Sequence, residues 1–121
     1  MKKETVSALK LLHRPLTGRM KMQINIQTSD DSTTIAVQGD IEITTIKEFK
    51  EAVYEVGKNI DKDVIVDFSG VNYLDSSGIG ILLTLYKMQK NRDKEMSLVN
   101  CSDNIKKIIE LSSLRDILKQ T

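Results

Sequence analysis

Apolar and polar positions change period several times along this chain, and each change marks an element. Met22, Ile24 and Ile26 alternate with Gln23, Asn25 and Gln27, the two-residue period of a half-buried strand. Ser29, Asp30, Asp31 and Ser32 form a turn cluster. Thr34, Ile35, Ala36 and Val37 read as a second strand stopped at Gly39, so the two runs predict a hairpin. Thr45 followed three residues later by Glu48 has the spacing of a capping box. Behind it Ile46, Phe49, Val53 and Val56 recur on one helical face, and Gly57 suits the helix end.

Val64, Ile65, Val66 and Phe68 form a nearly continuous apolar run around Asp67, which predicts a central, parallel strand buried on both faces. Ser69–Gly70 punctuates it, and the chain then reads Leu74-Asp75-Ser76-Ser77-Gly78-Ile79-Gly80. A helix is predicted from about Ser77 to Asn91. Ile79, Leu82, Leu83 and Tyr86 make one apolar stripe on it, and Ile81, Leu85 and Met88 make a second. A helix apolar over more than one face is either deeply buried or offered in part to a partner. Met96, Leu98 and Val99 predict another strand, Ser102 caps a helix carrying Ile105, Ile108, Ile109 and Leu111, and Ile117–Leu118 suggest a short last strand. The order β-β-α-β-α-β-α-β implies an α/β fold, a mixed sheet of four to five strands with helices packed on it.

The length of 121 residues suits one domain, residues 22–121, behind a tail of residues 1–21. The tail holds six basic residues against Glu4, a net charge of +5, and Pro15 and Gly18 interrupt any helix, so disorder is expected there. Met20 or Met22 could also be the true start of translation. The body holds twelve basic and sixteen acidic residues, a net of −4, which argues against a nucleic-acid partner. The longest apolar stretch, Ile79–Leu83 interrupted by Gly80, is far short of a membrane span, and the N-terminus has no continuous apolar segment of a secretory signal. A cytoplasmic location away from membranes is expected. The single cysteine, Cys101, excludes an internal disulfide and reads as a structural thiol.

The only histidine is His13, in the tail, so a Ser-His-Asp or Cys-His relay cannot be assembled in the body. There is no phosphate-binding loop, and Gly78-Ile79-Gly80 is half a dinucleotide fingerprint with Leu83 at the third glycine position. Metal-ligand spacings are absent. No metal, cofactor or catalytic residue is therefore expected. Asp40, Glu42 and Asp75 each follow a strand and read either as turn and cap residues or as a carboxylate group for hydrolysis. Ser76 and Ser77 also admit two readings. In one, Asp75, Ser76 or Ser77 caps the helix that follows. Alternatively, a phosphoryl group of about −1.5 to −2 charges could sit at that helix N-terminus beside Asp75 and repel a docked partner. Gly78 and Gly80 would then bare the backbone to the partner, and Ile79, Ile81 and Leu82 would supply apolar contacts.

Three segments carry a resemblance: IAVQGDIEI before the first helix, VIVDFSGVNYLDSSGIGILL, and SLVNCSDNIKKIIELSSL. Over roughly residues 22–120 the chain resembles the anti-sigma-factor antagonists of the STAS domain family. The resemblance implies a non-enzymatic partner switch. The unmodified antagonist binds an anti-sigma factor, which is also a serine kinase of the GHKL type. That kinase phosphorylates the serine after the aspartate, here Ser76, and a metal-dependent (PP2C-type) phosphatase reverses the reaction. Asp75 maps beside the phosphoacceptor, Ser77 shapes the helix start, and Asp40 and Glu42 belong to the kinase-docking face. The family loop G-E-L-D is replaced by Gly39-Asp40-Ile41-Glu42, and the usual further C-terminal helix is not expected before Thr121. Two alternatives remain: a STAS scaffold or regulatory subunit without phosphorylation, in a stress-signalling or lipid-transport complex, and a small enzyme using the three carboxylates.

Overall fold

Every strand of the body is held to its neighbour by a register that lines up the large apolar residues. The computed structural model describes residues 4–5 and 22–118. Strands β1 (Glu4–Thr5), β2 (Gln23–Thr28), β3 (Ser32–Gln38), β4 (Asp63–Gly70) and β5 (Met96–Val99) lie in that order across one sheet. β1, β2 and β3 pair antiparallel, whereas β3–β4 and β4–β5 are parallel. Ile26 sits opposite Ile35, Ile35 beside Val66, and Val66 beside Leu98, and all four are fully buried. Each such side chain is worth about 1.5–3 kcal/mol relative to exposure, so a slip of one residue in any strand would forfeit the row.

Parallel pairing needs crossovers, and helices α1 (Ile46–Asn59) and α2 (Ser76–Asn91) supply them. Phe49, Ala52, Val53 and Val56 of α1 and Leu82 and Leu85 of α2 are fully buried. α3 (Asp103–Glu110) adds Ile105 and Ile109 to the same core, with the Ser102 hydroxyl accepting from Ile105 N at 3.3 Å as its cap. The α/β mixed sheet, the hairpin and the element order from β2 to α3 match the sequence reading. No helix of the described residues is long and apolar enough to cross a membrane.

Several local expectations are corrected. Thr45 precedes α1 but makes no side-chain cap bond to it. Its hydroxyl instead donates to Asp40 O at 2.7 Å and accepts from Glu42 N at 3.1 Å, so it closes the preceding loop. Gly57 is inside α1 rather than at its end, and a Cβ there would lie 2.7 Å from Met88 Sδ, so it permits close approach of α1 and α2. β4 is central and parallel, but its second face is only half-buried at Ile65 and Asp67. The expected last strand is a 3₁₀ turn at Arg115–Ile117 followed by one bridge from Leu118 to Leu98. Of residues 1–21 the structure describes Glu4–Thr5, a short strand paired with Thr28 and Gln27. The expectation of disorder for the rest of that tail lies outside the described residues.

Candidate functional site

Gly39 ends β3 at φ 113°, a conformation that favours glycine, and turns the chain towards the C-terminal end of β4. Its N–H donates to Gly70 O at 2.9 Å. The loop then runs alongside the residues that lead into α2. Ile41 bridges Leu74 in parallel, Ile41 N donates to Tyr73 O at 2.9 Å, and Asp75 N donates to Ile41 O at 3.0 Å. Ile41 and Leu74 are both buried, so apolar packing and backbone bonds fix the same contact. Sequence positions 40–43 and 73–77 are thereby brought to one place.

Asp75 is the N-cap of α2. Its Oδ1 accepts from Ser77 N at 2.9 Å and Gly78 N at 3.4 Å, which satisfies donors that a helix start leaves free. Oδ1 also accepts from the Ser77 hydroxyl at 2.5 Å, and Oδ2 accepts from Ile43 N at 3.1 Å. One carboxylate therefore caps the helix and pins the β3–α1 loop. The Ser77 hydroxyl first, then the N–H groups of Gly78, Ser77 and Ile43, hold Asp75 below the usual carboxylate range against a smaller opposing effect of desolvation.

The two serines are thus unlike. Ser77 is half-buried and its hydroxyl is committed to Asp75. Ser76 is exposed at the first position of α2, and its hydroxyl makes no hydrogen bond among the described residues. The N–H groups of Ser77 and Gly78 are already capped by Asp75, so a phosphoryl group on Ser76 would not find them free.

Other candidates are redistributed. Gly78 is buried, and a Cβ there would lie 2.3 Å from Leu74 Cδ1 and 2.7 Å from Ile41 Cγ2. It allows α2 to pack on its own strand ends and does not bare backbone to a partner. Gly80 is exposed with open space around its Cβ position. Leu82 is fully buried and Ile81 is 9% exposed, so both serve the core; only Ile79 of the proposed apolar contacts is half-exposed. Asp40 is exposed and Glu42 half-buried, at the loop rim. Among the described residues no group of three His, Cys, Asp or Glu side chains could hold a metal ion.

Two residues of this region were missed from sequence. Ile43 is 70% exposed and Tyr73 is 49% exposed, although both are of core-forming types. The alternation Ile41-Glu42-Ile43 reads as one buried face, and only the bond from Ile43 N to Asp75 shows why Ile43 does not follow Ile41 inward.

A sequence model described as the STAS domain matches residues 23–121. The anti-sigma-B factor antagonist of Staphylococcus aureus is 27% identical over 99 residues, covering 82% of this chain and 92% of that protein. A crystal structure of an anti-sigma factor antagonist from Mycobacterium paratuberculosis superimposes with a TM-score of 0.75 at 21% identity, covering 84% of this chain and 87% of that one. The Bacillus cell fate determinant SpoIIAA, solved in a phosphorylated form, superimposes with a TM-score of 0.66 at 17% identity, covering 83% and 90%. At those identities the two structures bear on the fold alone.

Proposed function

The chain belongs to the STAS domain family, and from that premise we propose that it is an anti-sigma-factor antagonist switched by reversible phosphorylation of Ser76. The observation that carries this reading is the inequality of the two serines. Ser76 is exposed with a hydroxyl free of partners among the described residues, while Ser77 is held by Asp75. Of the two serines, Ser76 alone offers a free hydroxyl to a kinase approaching this end of α2.

In the unmodified state the protein docks on an anti-sigma factor, a GHKL-type serine kinase in the cytoplasm, and releases the sigma factor. The Ser76 hydroxyl oxygen then bonds to the γ-phosphorus of the kinase's ATP as the bond to ADP breaks, and the hydroxyl proton is lost. Ser76 gains about −1.5 to −2 charges beside Asp75, whose lowered pKa keeps it ionised. With the N–H groups of Ser77 and Gly78 engaged by Asp75, the new dianion lies beside a carboxylate and faces the docked surface. Release follows, and a PP2C-type phosphatase resets the site. The protein itself performs no catalysis in this scheme. Names of related proteins support the antagonist role: the Staphylococcus aureus relative is called an anti-sigma-B factor antagonist.

The test is a calorimetric titration of Ser76→Ala and Ser76→Asp against the anti-sigma kinase that modifies the wild-type protein. Ser76→Ala should bind as the unmodified protein does and resist modification, and Ser76→Asp should bind at least about tenfold more weakly. Equal affinity for the two variants would remove the switch and favour a scaffold role without phosphorylation.

A further inference from the structure

We propose that Ile43 and Tyr73 are the apolar anchors by which this protein docks on its partner, a protein surface with an apolar recess framed by Lys or Arg. The inference rests on the antagonist reading and names what that reading leaves open, the side chains that hold the complex together.

Three large apolar residues are exposed among the described residues: Ile43, Tyr73 and Leu111. Leu111 follows α3. The other two both lie in the stitched segments around Asp75. Ile43 N donates to Asp75 Oδ2 at 3.1 Å, and Tyr73 O accepts from Ile41 N at 2.9 Å. Both backbones are therefore fixed before any partner arrives, which lowers the ordering cost of binding. Leu74 is buried, so the alternation along this extended stretch turns Tyr73 outward. Exposing an isoleucine and a tyrosine beside one another's segments forgoes burial that the core offers freely to Ile41 and Leu74. A bound partner would recover it, and tyrosine is among the residues that most often carry interface energy. Ile81 and Leu82, the residues first expected to do so, are in the core.

Charge indicates the rim of the partner. Segments 39–45 and 71–80 contain Asp40, Glu42 and Asp75 and no lysine or arginine. The nearest base in sequence is Lys47, in the first turn of α1. Apolar anchors inside an acidic rim fit an apolar recess inside a basic rim. The same rim explains why one added phosphate on Ser76 could matter: it changes the complementarity of an interface whose apolar contacts are unchanged.

The experiment measures binding of the anti-sigma kinase that phosphorylates Ser76 to wild type, Ile43→Ser, Tyr73→Ser, Leu111→Ser and Ser76→Asp, with circular dichroism melts to confirm folding. Ile43→Ser and Tyr73→Ser should each weaken binding by tenfold or more while leaving the melts unchanged, and Leu111→Ser should bind within twofold of wild type. Raising salt from 50 to 500 mM should slow association of all binding forms. If both anchor variants bind within twofold of wild type while Ser76→Asp does not bind, the anchor assignment is wrong and the antagonist reading stands. Should no anti-sigma kinase bind even the wild-type protein, both are overturned.

Discussion

Replacing each of two glycines two residues apart in α2 by alanine should move stability in opposite directions. Gly80 has no atom within 4 Å of where a Cβ would stand. Alanine there gains helix propensity of about 0.8–1 kcal/mol and meets nothing. Gly78 gains the same propensity, but its Cβ would lie 2.3 Å from Leu74 Cδ1 and 2.7 Å from Ile41 Cγ2. Leu74 is 3% exposed and Ile41 fully buried, so neither can swing into solvent. Overpacking of this kind costs about 1–3 kcal/mol. With two contacts below any real Cβ distance, the upper half of that range applies, and the net loss is about 1–2 kcal/mol. The two variants should thus differ by about 2–3 kcal/mol, which for a domain of this size is roughly 8–20 °C in melting temperature. Urea unfolding followed by far-UV circular dichroism reads the difference at constant m. If Gly78→Ala proves as stable as Gly80→Ala, the close packing of α2 on Ile41 and Leu74, and with it the geometry that positions Ser76, is wrong.

Other outcomes follow from the same coordinates. Gly57→Ala should cost less than Gly78→Ala, because its clash is with the flexible end of half-buried Met88; the same urea series checks this. Asp75→Ala should be less stable than wild type at neutral pH. The folded pKa of Asp75 lies below its ordinary 3.8. Its contribution is therefore present above that value and lost as pH falls through the folded pKa, so the deficit should vanish in melts taken in strong acid. Burial, partly offset by Lys106, pushes the Cys101 thiol up to about 11 from 9.0. At pH 8 its thiolate population is then about a hundredfold below that of the unfolded chain, and Ellman's reagent should react correspondingly slowly until urea is added.

What the sequence revealed, and what it hid, divides along a physical line. Periodicity reports which residues leave water, and it found the strands and helices through Ile26, Ile35, Val66, Leu98, Val53 and Leu85. The Asp75-Ser76-Ser77-Gly78 run was legible because a cap, a helix start and a tight packing site must be adjacent in sequence. Contacts between distant segments were not legible. Thr45 has capping-box spacing, yet its hydroxyl is taken by Asp40 O, which spacing cannot see. Gly57 reads as a helix stop because glycine usually is one, whereas here it is a point of contact with Met88. Leu82, read as a partner contact, is buried in the core, and Ile43, of a core-forming type, is exposed where the bond from its N–H to Asp75 fixes the loop at the surface. The choice between Ser76 and Ser77 rested on resemblance alone until the Ser77–Asp75 bond supplied a physical reason for it.

That choice is most directly tested by intact-mass spectrometry with fragment mapping of the protein purified from its own cells. The account predicts a fraction heavier by one phosphate, all of it on Ser76 and none on Ser77. A phosphate on Ser77, or an unmodified chain under every growth condition that changes sigma-factor activity, would contradict it.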